Sequence, residues 1–162
     1  LPWDERPPEI ANLLNPAFCG LLILESVSGY NKASGEGMPF LCSFLVLPFV
    51  LHMKTRNSLP TRTSNHFHNW VVKNPHVRVG LSSRAKNLVP YTKESISFCT
   101  STDYLLIDDM GCLFKTKKKL GQLSWPQDSE EAICRERANF VGRWFAKVGD
   151  LKLIYMLLGI RP

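Results

Sequence analysis

The chain has 162 residues, of which 44% are hydrophobic and 21% charged, with a formal net charge of +6. That length supports one domain with one substantial core, and the balance of apolar and charged residues is close to that of a folded protein, so disorder is not the default. The basic excess favours an anionic partner, either nucleic acid or an acidic protein surface; the five dispersed cysteines form no C-x-x-C pair and read as reduced thiols, not as a disulfide framework or zinc site.

In chain order, the first ten residues are polar and proline-rich and read as an extended arm, with no secretory leader. Helical spacing begins near Pro8 and Glu9 and continues through Ile10, Leu13 and Leu14. Asn15-Pro16 then places a capping residue before a proline at the first helical position, which predicts a kink or restart. The restarted helix carries Phe18, Leu21, Leu22, Leu24 and Val27 and ends near Gly29. Residues 31–37 read as a polar loop. Met38 to Met53 is strongly apolar, too short to span a bilayer and interrupted by Pro48, so it reads as a buried core helix opened by Pro39. It is expected to pack on the preceding helix as a hairpin at the centre of the core, and the basic stretch from Lys54 to Pro60 to end it in a turn.

Ser64 to Lys73 reads as a helix bearing Phe67, Trp70 and Val71. Asn74-Pro75 repeats the cap-plus-proline pattern and predicts a short helix to about Lys86, with Val77 and Leu81 inward; a third is expected from Pro90–Thr92, carrying Ile96 and Phe98. Tyr104–Ile107 and Cys112–Phe114 read as strands flanking the turn Asp108–Gly111. Three short helices followed by a hairpin is the order of a winged helix-turn-helix. A last long helix is expected from Asp128 or Ser129, with Glu130 and Glu131 complementing its dipole and Ile133, Phe140, Val141, Trp144 and Phe145 on its apolar face. Gly149-Asp150 interrupts it, and Leu151 to Leu158 resumes it. The expected fold is mainly α with a small β-hairpin in a single domain over 1–162: a helical hairpin core in 1–60, a winged-helix-like segment in 62–119 and C-terminal helices in 128–158.

The chain lacks the glycine-rich phosphate loops, the H-E-x-x-H and G-x-S-x-G motifs, and any C-x-x-C. His66 and His68 are the best metal-ligand pair, with His52, His76 and Asp108-Asp109 as further donors. At the start of a helix the two histidines diverge by about 200°, so they read as surface residues, and the aspartates as turn formers. No metal, no cofactor and no enzymatic activity are expected. Lys115, Lys117, Lys118 and Lys119 form the sharpest charged feature, just after the hairpin. A solvated turn, an acidic protein surface and non-specific nucleic-acid contact assisted by Arg78 and Arg84 all remain open for it. The proposed third helix offers Lys93, Glu94, Ser95 and Ser97, without the Arg, Asn or Gln that dominate base readout. That argues against a sequence-specific regulator, although a free-standing winged-helix DNA-binding protein stays as the alternative, and a metal enzyme using His66 and His68 as a more distant one.

The stretch Glu9-Ile10-Ala11-Asn12-Leu13-Leu14-Asn15-Pro16-Ala17-Phe18 resembles the opening of the middle components of three-component ABC systems, the accessory proteins of Lamassu-type antiphage operons. The resemblance continues through Gly29-Tyr30, Gly37-Met38-Pro39-Phe40, Leu45-Val46-Leu47-Pro48, Leu51-His52, Arg56 and Leu59-Pro60, and ends with Tyr155 and Leu158-Gly159-Ile160-Arg161-Pro162. It implies a non-catalytic adaptor in the cytoplasm that ties an SMC/Rad50-like coiled-coil ATPase to an effector, often a nuclease, and restrains the effector until activation. Within that picture Asn15, Pro16, Phe18, Pro39 and Phe40 are candidate partner contacts, with backbone geometry as the competing reading, and Ile160 and Arg161 form a candidate docking tail. No membrane association is implied.

Overall fold

The computed structural model describes residues 14–161; the arm and the helical spacing read over 1–13 lie outside the described residues, as does Pro162. Helix α1 (Pro16–Ser34) opens as the sequence dictates. The Asn15 side-chain oxygen accepts from the N–H groups of Ala17 at 2.7 Å and Phe18 at 3.1 Å, and Pro16 takes the position whose N–H has no helical partner. The helix runs five residues past the expected end at Gly29 and stops at Gly35, whose φ of 71° only glycine adopts readily. Cys19 to Tyr30 is buried around its whole circumference except at Glu25, which marks a central helix, not a surface one.

The apolar run does not form the single helix expected of it. It divides into strand β1 (Met38–Pro39) and helices α2 (Phe40–Ser43), α3 (Val46–Val50) and α4 (Met53–Ser58). An all-apolar run carries no periodicity from which to read its bends. Pro48 is the third residue of α3, where a missing N–H is harmless, so it helps start a helix instead of interrupting one. His52 then caps α4 by accepting from the Thr55 N–H at 3.4 Å, so the expected terminal turn is also helical.

Helix α5 (Phe67–Lys73) forms with Phe67, Trp70 and Val71 buried. Asn74 does not cap the next element; its amide donates to the Trp70 carbonyl at 2.9 Å and closes α5. A 3-10 turn (Pro75–Arg78) leads to Gly80, at φ 71°, and then to α6 (Leu81–Ser101). Here the second and third short helices are corrected to one 21-residue helix running through Pro90. Pro90 is exposed, so the missing hydrogen bond falls on the side where a helix can bend toward solvent. The three short helices needed by a winged helix-turn-helix are therefore not formed. Of the two residues read on the third helix, Ile96 is buried and Phe98 is 41% exposed.

Strands β2 (Leu105–Ile107) and β3 (Cys112–Lys115) make the expected hairpin, with Leu106 opposite Phe114. Asp108 folds the turn by accepting from the N–H groups of Met110 at 3.0 Å and Cys112 at 2.8 Å. An unforeseen partner completes the sheet: β1 pairs with β3 in antiparallel register, giving the order β1-β3-β2. Beyond β1, Asn31 of α1 continues the ladder, donating to the Leu113 carbonyl at 3.1 Å and accepting from the Lys115 N–H at 2.9 Å.

Helix α7 (Glu130–Val148) is capped by Ser129, which accepts from the Ala132 N–H at 3.2 Å, and α8 (Leu151–Leu158) by Asp150, which accepts from the Leu153 N–H at 3.2 Å. It is α7, not the 38–53 run, that forms the most extensive packing partner of α1. Glu25 meets Arg135 across this pair at 2.9 Å. Phe140, Val141, Trp144 and Phe145 are buried as read, while Ile133 is 38% exposed. An aromatic cluster of Phe49, Phe67, Trp70, Phe140, Trp144 and Phe145 fills the space beneath α3 and α5, with ring centroids 5.0–5.9 Å apart. Its polar edges are satisfied, since the Trp70 and Trp144 indole N–H groups donate at 2.7 Å to the carbonyls of Ser58 and Asn65.

Candidate functional site: two clefts on one helix

Helix α6 advances about 100° per residue, so Arg84, Asn87 and Leu88 share one face while Ser82, Ala85, Lys86, Val89 and Lys93 share the opposite one. An apolar cleft opens on each face.

The first, about 590 Å³, is walled by Leu47, Leu51, Leu88 and Trp125 and includes Asn15 and Phe18. Phe18 meets Trp125 edge to face, with ring centroids 6.1 Å apart. The polar end holds His52, Arg84 and Glu130. Arg84 donates to the Val79 carbonyl at 3.1 Å and the Thr55 hydroxyl at 3.3 Å, and its buried Nε has no partner among the described residues. Burial, then the neighbouring Arg84, Lys54 and Arg56 cations, lower the His52 pKa, which favours the neutral imidazole that caps α4. Behind it lies Arg56, a buried cation that donates to the Val50 carbonyl at 2.9 Å and to Glu130 at 3.3 Å.

The second cleft, about 460 Å³, lies between α6, α2 and the end of α8. Its apolar surface comes from Phe40, Leu41, Phe44, Val89, Tyr155 and Ile160. Phe40 and Phe44 stack edge to face at 5.0 Å, and the Tyr155 hydroxyl donates to the Leu41 carbonyl at 2.6 Å, which fixes α8 against α2. The chain then turns at Gly159, φ 71°, and the Ile160 N–H donates to the Tyr155 carbonyl at 3.1 Å. This brings Ile160 onto the cleft and leaves Arg161 exposed at its rim, beside Lys86 and Lys93.

The candidate partner residues therefore sort between the two clefts: Asn15 and Phe18 line the first, Phe40, Ile160 and Arg161 the second. Pro16 and Pro39 act through the backbone, at the start of α1 and in β1. Sequence reasoning missed Trp125, Leu88 and the shared helix face of Lys86 and Lys93. The spacing 82, 85, 86, 89, 93 is a helical face, legible once 81–101 is one helix.

The candidate nucleic-acid residues are not brought together. Lys118 is held by the hairpin, its ammonium donating to the Thr102 carbonyl at 2.7 Å and lying 4.4 Å from the Tyr104 ring centroid. Lys115 is half-buried, and its backbone N–H is bound to Asn31. Lys117 and Lys119 are exposed. Arg84 sits at the opposite end of α6, about 25 Å along its axis, and Arg78 in the 3-10 turn.

His66 and His68 are both exposed, and no group of three or more metal-ligating side chains occurs among the described residues. Burial raises the Cys19 and Cys42 thiols to about 12 and Cys99 to about 11. No described helix is long and apolar enough to cross a membrane.

A family model described as ABC-three component (ABC-3C) system Middle Component 3 matches residues 3–162. No curated protein and no solved structure matches the chain.

Proposed function

Because the chain belongs to the Middle Component 3 family of ABC-three component systems, we propose that it is a non-catalytic adaptor of an antiphage defence complex in the cytoplasm. In this reading it links an SMC/Rad50-like coiled-coil ATPase to a nuclease-type effector and restrains the effector until activation. The observation that carries the reading is the pair of apolar clefts on opposite faces of α6. A helix packed against α1 and α3 is a stiff partition, and a protein with a docking surface on each side of such a partition is built to hold two partners in fixed relation. Exposed apolar clefts of this kind mark binding sites.

Co-expression of the chain with the ATPase and the effector of its own system tests this. A single stoichiometric species on size exclusion is expected, together with an effector that becomes more active when the chain is omitted. Recovery of the chain as a free monomer refutes the linkage, and an effector equally active with and without it refutes the restraint.

A further inference from the structure

The second cleft differs from the first in its charge. Lys86, Lys93 and Arg161 stand exposed around it, none of them makes an ion pair among the described residues, and no described acidic residue lines it. The first cleft, by contrast, has Glu130 and Glu131 beside Arg84. We propose that the second cleft binds an acidic amphipathic helix of a partner protein, laid along α6 with its apolar side on Leu41 and Val89 and its carboxylates on Lys86 and Lys93. The proposal rests on the adaptor reading of the chain.

Three observations give the occupant this chemistry. Leu41 is 42% exposed and lies beside half-buried Phe40, Val89 and Ile160, so a continuous apolar strip lacks a cover among the described residues. The floor is already fixed, by the Tyr155–Leu41 hydrogen bond and the Phe40–Phe44 stack, and rigid grooves lose little entropy on binding. Lys86 and Lys93 are seven residues apart on one helix, which sets their backbone positions about 10 Å apart on the same face. A partner helix with carboxylates at i and i+7 reproduces that spacing and carries apolar residues between them at i+3 and i+4, the helix-in-groove mode of recognition. A single-headed amphiphile supplies one charge where the rim offers several.

The test uses the full chain in its co-expressed complex, with a photocrosslinker introduced as Leu41→p-benzoylphenylalanine. Irradiation should join position 41 to a partner segment with acidic residues seven apart and apolar residues between. The double variant Lys86→Glu/Lys93→Glu should cut the crosslink at least tenfold with unchanged circular dichroism and Tm. Exchanging the mapped carboxylates for lysines should restore it in that background. Crosslinks from an intact complex to a neutral or basic segment, to a second copy or to lipid, or none at all, overturn the proposal and leave the adaptor reading standing. A chain recovered free of both other components overturns the adaptor reading, and the docking with it.

Discussion

Gly142 of α7 faces Ser26 of α1 with no space between them: a β-carbon at 142 would stand closer to the Ser26 carbonyl oxygen than any real contact allows. Gly29, one turn further along α1, meets the Asn139 carbonyl in a similar way. The two main helices thus touch backbone to backbone. Gly142→Ala must push them apart, and since the obstacle is backbone it cannot rotate away. We expect a loss of about 3 kcal/mol or more, at the upper end for overpacking, read as a fall in the denaturation midpoint. Gly121→Ala serves as the control: open space surrounds that position, and the change should be close to neutral.

Asn31 joins α1 to the sheet with one side chain, donating to Leu113 and accepting from Lys115. Asn31→Leu keeps the branched shape and removes both bonds, together with the one to the Glu36 carbonyl, stranding a carbonyl and an N–H of β3. The expected cost is about 1–3 kcal/mol, with faster hydrogen exchange at the Lys115 amide. Unchanged exchange there would show that water replaces the side chain without loss.

The capping signals at Asn15 and Ser129 were legible because each is local: a short polar side chain reaches N–H groups two or three residues on. So was the Asp108 turn. The same local signal misled at Asn74-Pro75, where the asparagine closes one helix instead of opening the next. Periodicity located the buried face of α7 but not its partner, because which helix lies against α1 depends on two small residues far apart in sequence, Gly29 and Gly142. The first cleft joins Phe18 to Trp125 and the second joins Phe40 to Ile160, and no spacing rule connects such distant positions. Pro90 concealed the second cleft further, since it reads as a helix boundary while tertiary packing carries α6 through it.

Stability should fall above pH 9. Burial raises Cys19 and Cys42 to about 12 and Cys99 to about 11, against 9.0 for the free thiol. Their folded pKa values lie above the unfolded ones, so the stabilisation is complete below pH 9 and is lost as pH rises toward 11 or 12. In that window the unfolded chain has released protons that the folded one retains, and the slope is about 1.4 kcal/mol per pH unit for each thiol. Tyr155, raised to about 12 mainly by burial, adds to the loss above pH 10. Cys42→Ala should flatten the alkaline slope by one thiol's share. A denaturation midpoint constant from pH 8 to pH 10.5 would contradict the assignment.

Of the three lysines that follow β3, Lys118 is structural and Lys117 and Lys119 are available to a partner. Lys118 ties its ammonium to the Thr102 carbonyl and to the Tyr104 ring, so Lys118→Ala should cost about 0.5–1 kcal/mol of stability. Lys117 and Lys119 are exposed, and Lys117→Glu/Lys119→Glu should leave stability within about 0.5 kcal/mol. If these two meet phosphate in the assembled complex, the double variant lowers affinity for mixed-sequence duplex DNA equally across sequences and flattens the salt dependence by about two units of slope. If instead they face an acidic protein surface, DNA affinity holds and the complex itself weakens with the charge reversal. Titrating the wild-type and variant complexes with a labelled duplex at several salt concentrations, alongside size exclusion, separates the two. Unchanged values in both assays would show that the exposed lysines only solvate the turn.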